Sequence, residues 1–255
     1  MNERRMLRPW IASPEPAAWR LVMCPFAGGS SSAFRDWRQV DDFGVDVALA
    51  IYPGRDHRMR EPAADDIGGL ADQLADELID TRASPGKLIL AGHSMGAQVA
   101  FETCERLERR GAPPFALVLS GCHAPHLQGR RLLSHLDDRA FVDQLVEIGG
   151  SDPTLLSDPS LLAIFLPMLR ADFRITEAYR RPPHAARRRI DTPTLLVYGS
   201  RDAEASRDEV AAWRDWLAHA DEPIAMPGDH FYATRRPRAF LQQILRRLES
   251  TSACV

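Results

Sequence analysis

Residues 88–98 read LILAGHSMGAQ, an apolar run that stops at a glycine-flanked serine, and the segment after that serine decides the fold. Gln98, Val99, Ala100, Phe101 and Glu102 continue in a pattern compatible with a helix. A strand, a tight turn carrying serine and a helix is the arrangement of a nucleophile elbow, in which Gly92 and Gly96 let the two backbones pass closely and Ser94 is exposed above the sheet. Gly-x-Ser-x-Gly alone arises by chance in about one chain of this size in ten. The context is therefore what gives Gly92-His93-Ser94-Met95-Gly96 its meaning.

That context extends along the chain. Apolar runs at 21–24, 45–51, 87–91, 115–120, 194–198 and 223–226 alternate with helical stretches at about 33–40, 67–81, 95–110, 206–219 and 232–249. Strands alternating with helices imply a mostly parallel sheet flanked by helices, and burial on both faces explains continuous rather than alternating apolar runs. In the last helix Phe240, Leu241, Ile244, Leu245 and Leu248 recur at helical spacing, which is core packing. The rhythm breaks at about 125–189, where no strand pattern occurs and Pro167 interrupts the most apolar run. The expectation is one α/β domain over 1–255 with an insertion at about 125–189, read as a helical lid from where it falls in the chain, a dimerisation element or ordinary packing on the sheet being the alternatives.

The 255 residues carry a formal net charge of -3, with 45% hydrophobic and 26% charged residues. This is the composition of a globular chain and suggests no nucleic-acid partner. Lys87 is the only lysine, so nearly all positive charge is arginine. Cys24, Cys104, Cys122 and Cys254 are scattered without a Cys-x-x-Cys pair, so no zinc or redox motif is indicated, and free thiols are expected. With neither a signal-peptide pattern nor a run of ~20 apolar residues, a cytoplasmic protein without a membrane partner is expected.

A serine hydroxyl needs a base to remove its proton and a carboxylate to hold that base in one tautomer. On this scaffold the order is Ser, acid, His. Asp202 comes after the strand TLLVYG and His230 after the last strand, in Pro-Gly-Asp-His-Phe. Ser94, Asp202 and His230 are thus the expected catalytic residues. Glu204 and Asp208 are alternatives to Asp202, and Asp229 is read as shaping the turn. His93 is expected to point away from the site. His57, His123 and His126 occupy loops where packing or surface roles compete with lining the site, and His135, His184 and His219 look solvated. The oxyanion of a tetrahedral intermediate needs two preset donors: the backbone N–H of Met95, at its helix N-terminus, and that of Ala27 or Phe26 in CPFAGGSSSAF. That loop lacks a P-loop's Gly-Lys-Ser/Thr ending and a full Gly-x-Gly-x-x-Gly, so no nucleotide cofactor is read from it. The chemistry requires neither metal nor redox cofactor.

The stretches PFAGGSSSAFRDW, YPGRDHRMREP, LAGHSMGAQVAFE, SGCHAPH, LPMLRADFRITEAY, LVYGSRD and MPGDHFY, in this order over nearly the whole chain, resemble the type II thioesterases that accompany polyketide and nonribosomal peptide synthetases, within the α/β-hydrolase superfamily. The resemblance implies an α/β-hydrolase fold with a mobile helical lid. It implies a triad at Ser94, Asp202 and His230 and oxyanion donors at Met95 and Ala27. It also implies hydrolysis of unwanted acyl groups from the phosphopantetheine arm of acyl or peptidyl carrier proteins, phosphopantetheine being part of the substrate. An acidic carrier would favour a basic rim, for which Arg55, Arg58, Arg60, Arg130 and Arg131 are candidates. Phe26, Phe141, Leu145, Phe165 and Met168 are candidate substrate-lining residues, with Leu161 beside them, the alternative for those in the insertion being that they hold the lid to the sheet. The triad by itself supports a general carboxylesterase or lipase equally well, an acyltransferase if the lid excludes water, and, were it inert, a noncatalytic small-molecule-binding module.

Overall fold

A computed structural model describes residues 5–40, 43–81, 86–150, 158–182 and 189–252. Its seven strands form one sheet: β1 Leu7–Ile11, β2 Trp19–Cys24, β3 Val45–Ala50, β4 Lys87–His93, β5 Ala116–Ser120, β6 Thr194–Gly199 and β7 Ile224–Met226. Their order is β1-β3-β2-β4-β5-β6-β7. β1 is antiparallel to β3, and every other pair is parallel. The strand residues divide between two cores. Val22, Cys24 and Leu90 join one face with α1 (Ile67–Asp80) and α2 (Met95–Arg109); Leu21, Met23 and Ile89 join the other with α7 (Pro237–Ser252). Side chains alternating between two buried faces account for the continuous apolar runs.

The chain leaves β2 for β3 on one side, then returns past β2 to β4 and proceeds outward through β7. The order therefore reverses between β2 and β4, and loops leaving the C-terminal ends of such strands diverge around a crevice. The loop 25–30 leaves β2 there, and Ser94 leaves β4. Topology alone brings them together.

Several elements differ from expectation. β1 is an additional strand, disguised in the sequence by Pro9 and by a register irregularity at Pro9/Ile11 that mark it as an edge. The stretch expected as a helix at 33–40 is a 3-10 helix, Ser31–Gln39, kinked at Phe34. The 206–219 stretch is a short α5 (Arg207–Ala211) running into 3-10 turns at Ala212–Trp216. The last helix is split into α6 (Tyr232–Arg235) and α7 at Arg236, since Pro237 lacks an N–H and disfavours helical backbone before it.

Between β5 and β6 lie α3 (Asp138–Ile148) and α4 (Pro159–Ala178). Asp137 caps α3 through the Ala140 N–H; Asp158 caps α4 through the N–H groups of Ser160 and Leu161, with Pro159 in the first turn. Pro167 does not end α4. Leu133, Phe141, Leu145, Met168 and Leu169 make a separate apolar cluster between these segments. Residues 151–157 and 183–188 of the 125–189 insertion, His184 among them, lie outside the described residues.

Candidate active site

Ser94 joins β4 to α2 with φ 55° and ψ −124°, a left-handed conformation that costs a non-glycine residue about 1–3 kcal/mol. The flanking glycines make it possible. A Cβ on Gly92 would lie 2.0 Å from the carbonyl oxygen of Gly96, and one on Gly96 would lie 2.0 Å from that of Cys24. The turn is closed by the Ser94 N–H donating to Ser120 O at 2.9 Å. The glycine-rich stretch is thus a strained elbow rather than a loose loop.

Asp202 sits beyond the end of β6 and His230 beyond β7. The Nδ1 of His230 is 2.9 and 3.0 Å from the two carboxylate oxygens of Asp202, whose side chain is fully buried. Asp202 Oδ1 also accepts from the N–H groups of Glu204 and Ala205. Burial works against the charge on Asp202, but the hydrogen bond and charge of His230 outweigh it and hold the carboxyl below its usual range. With Nδ1 engaged, Nε2 is the nitrogen left for chemistry, and His230 lines the same pocket as Ser94 and Ala27. Of the alternatives, Glu204 borders that pocket but pairs with Arg131, and Asp208 faces solvent. Asp229 accepts from the Phe231 N–H and pairs with Arg235, a turn-forming position.

His93 lies behind the site. Its ring centroid is 4.9 Å from that of His230, Nδ1 bonds Ser120 Oγ at 3.0 Å, and the serine in turn bonds Tyr232 Oη. Burial, reinforced by the neighbouring His230, pulls the His93 imidazole down to about 3, so it stays neutral. His57 bonds Arg5 O, His126 accepts from Trp216, and His135 and His219 are exposed. His123 lines a second cleft that reaches Ser94 and His230 from the side of Arg130 and Arg131.

The loop after β2 forms a reverse turn, with the Gly29 N–H donating to Phe26 O at 2.8 Å and Gly28 at φ +77°. Ala27 borders the Ser94 pocket. Met95 is the first residue of α2, where an N–H has no acceptor within the helix.

The candidate lining residues are placed apart. Phe26 and Leu145 border Ser94 together with Ile148, Gly150, Phe173, Thr176 and Phe231, which sequence reasoning did not single out. Phe165 and Met168 line a neighbouring cleft with Arg35, Met59 and Leu169. Phe141 is wholly buried inside the insertion, under the Arg170 guanidinium, and Leu161 points outward at 40% exposure. Two of the five arginines assigned to a basic rim are not on a rim. Arg55 is buried against Asp172, and Arg58 is buried against Ile51 O, Glu61 and Gln73. Arg60 is exposed, while Arg130 and Arg131 border the second cleft already paired with Glu209, Glu204 and Glu147. The described cysteines, Cys24, Cys104 and Cys122, are free and buried, which pushes their thiols up; Cys254 lies outside the described residues. Among the described residues no helix is long and apolar enough to cross a membrane, and no cluster of metal-ligating side chains occurs.

Comparison with known proteins gives a consistent neighbourhood. The thioesterase domain model matches residues 19–250. A probable anguibactin biosynthesis thioesterase, AngT of Vibrio anguillarum, is 41% identical over 238 residues, covering 92% of this chain and 94% of that protein. Among solved structures, YbtT, a type II thioesterase from the yersiniabactin NRPS/PKS biosynthetic pathway, superimposes with a TM-score of 0.91 at 46% identity, covering 96% of this chain and 98% of that one. RedJ, a thioesterase from the prodiginine pathway in Streptomyces coelicolor, superimposes at 0.81 with 37% identity, covering 93% of each chain.

Proposed function

Because the chain belongs to the thioesterase domain family, we propose that it releases acyl groups from the phosphopantetheine arm of carrier proteins on a polyketide or nonribosomal peptide synthetase, clearing acyl groups that stall synthesis. Ser94 Oγ attacks the thioester carbonyl while His230 Nε2 takes its proton. Asp202 holds the imidazole through Nδ1 and stabilises the imidazolium that forms. The N–H groups of Ala27 and Met95 receive the oxyanion, which then collapses and expels the pantetheine thiol with the proton from His230. Water, activated by the same imidazole, hydrolyses the Ser94 ester and gives a free acid. A thiol, with a pKa of about 8.5, leaves more readily than an alcohol and asks less of the general acid. The insertion helices α3 and α4 act as the lid.

The observation that carries this reading is the buried Asp202–His230 bond beside a strained Ser94 in one pocket. Its test is intact-protein mass spectrometry of an acetyl- or propionyl-loaded carrier protein. The wild type is expected to leave free phosphopantetheine, and Ser94→Ala to leave the acyl group in place. An acyl group untouched by either protein, alongside turnover of simple oxygen esters, would move the assignment to a general esterase.

A further inference from the structure

Asp172 is an acid on the otherwise apolar buried stripe of α4. Met168, Ala171, Asp172 and Ile175 of α4 all turn inward, and Asp172 is 2% exposed. Its Oδ2 accepts the Gly28 N–H at 2.7 Å, across 144 residues of sequence. The same carboxylate is gripped by Arg55, with Nη1 at 2.7 Å from Oδ2 and Nη2 at 2.8 Å from Oδ1. Arg55 Nη1 also donates to Gly29 O at 3.1 Å, and its guanidinium lies 5.2 Å from the Tyr52 ring centre. The turn 26–29 is therefore held from outside at two consecutive residues, at the amide of Gly28 and the carbonyl of Gly29. α4 presses directly on it, since a Cβ on Gly28 would lie 2.3 Å from Leu169.

A reverse turn has two central amides, here those of Ala27 and Gly28. Asp172 consumes the second and fixes the Ala27–Gly28 peptide plane, while the adjoining Phe26–Ala27 plane, which carries the Ala27 N–H, is held through Phe26 O by the Gly29 N–H. We propose that Asp172 and Arg55 are positioning residues for the oxyanion hole: the insertion helix supplies the carboxylate that orients the Ala27 N–H toward Ser94, and Arg55 neutralises that carboxylate. The neutralisation has a physical reason. An unpaired carboxylate one residue from a developing oxyanion would repel it, whereas a bidentate ion pair presents little net charge there. This inference rests on the hydrolase reading above. It assigns Arg55 to the turnover of every acyl donor rather than to recognition of a carrier.

Replacing one partner strands a buried charge, so the decisive variant changes both. Swapping a buried ion pair for apolar residues of similar volume is commonly tolerated by a fold. The Arg55→Met/Asp172→Leu protein is expected to keep its melting temperature within a few degrees and its KM for a small acyl-N-acetylcysteamine thioester. Its kcat is expected to fall about 10- to 100-fold, less than or equal to the loss of a whole oxyanion donor. Affinity for a trifluoromethyl ketone analogue, which binds as a tetrahedral oxyanion, should fall by the same factor. Should the double variant fail to fold, Asp172→Asn replaces it: a carboxamide oxygen can still accept from Gly28 but leaves Arg55 charged. A fall of about 3- to 10-fold in kcat and in ketone affinity, with KM unchanged, is then expected. A folded variant of either kind with wild-type kcat and ketone affinity overturns the proposal, as does a loss confined to carrier-bound acyl groups. If the wild type itself hydrolyses neither thioester nor ester, the hydrolase reading has failed instead.

Discussion

The floor and the roof of the pocket are built by different rules. The floor consists of strand ends and turns: Ser94 after β4, Asp202 after β6, His230 after β7 and the 26–29 turn after β2. Apart from the 26–29 turn, which Asp172 and Arg55 hold from outside, each position there depends on local backbone, on two close-packed glycines and on one bond between neighbouring strand ends. The roof, α3 and α4, is held by side chains reaching far along the chain: Thr176 to Gln98, Tyr179 to Glu102, Arg181 to Glu102 and Glu105, and Asp172 to Arg55 and Gly28. Floor geometry tolerates almost no change of shape. Roof geometry is distributed over several contacts, so a single loss there, that of Asp172 excepted, should be absorbed.

The comparison breaks first at Gly96. A methyl group there meets three backbone atoms, Cys24 O at 2.0 Å, Cys24 C at 2.5 Å and Pro25 O at 2.6 Å, none of which can rotate aside. Gly96→Ala is expected to abolish hydrolysis and to cost about 3 kcal/mol of stability, at the upper end of overpacking penalties. Thermal unfolding together with thioester turnover checks this. An active, stable Gly96→Ala protein would mean that β2 and α2 are not as close as the elbow demands.

A smaller effect sharpens what lies under the floor. His93 is neutral in the fold because burial, with His230 beside it, brings its imidazole to about 3, against about 6.5 for a free side chain. Asp202 pulls the other way, and Ser120, Tyr232, Phe26 and Phe231 also pack against the ring. The unfolded chain therefore binds the extra proton. Stability from this group is complete above about pH 6.5 and declines as pH falls toward about 3, by about 1.4 kcal/mol per pH unit. Melting curves from pH 6.5 to 4 should show His93→Gln losing about 3 kcal/mol less over that range than the wild type. Half-buried His123, whose imidazole is also held down by desolvation, contributes equally to both proteins and cancels. Parallel curves would mean that His93 takes up its proton in the fold.

The same contrast explains which parts are legible in the sequence. Strand-helix alternation and the positions of Ser94, Asp202 and His230 can be read because they depend on local pattern and chain order. The edge strand Leu7–Ile11 is not legible, since its pairing with β3 is a property of the assembled sheet and Pro9 hides its periodicity. Arg55 reads as a surface contact because an arginine in a loop normally is one. Its partner is 117 residues away, and nothing near Arg55 in the chain announces it. A signal does exist at the other end, where Asp172 falls in phase with Met168 and Ile175 on the apolar stripe of α4. An acid in such a place needs a buried partner. Arg58 has the cue of Glu61 three residues on, yet its burial depends on Ile51 O and Gln73.

The mildest test lies at the far end of the roof. Tyr179 Oη donates to Glu102 Oε1 at 2.8 Å, and Glu102 is also paired with Arg106 at 2.7 Å and Arg181 at 2.9 Å. Tyr179→Phe removes one bond to a carboxylate that keeps both of its cations, so no charge is stranded. The expected cost is about 1–2 kcal/mol, the low end for a hydrogen bond to a charged group. Thioester turnover should be unchanged, because the Asp172 contact with the 26–29 turn lies two helical turns away and is anchored by Arg55 rather than by Glu102. Equal losses of stability and of kcat would show that α4 transmits the loss of the Tyr179 bond to Asp172, making the roof one lever rather than a set of independent contacts. A stability loss alone keeps the two functions of α4 separate: Glu102 and Gln98 hold its C-terminal half in place, and Asp172 alone reaches into the chemistry.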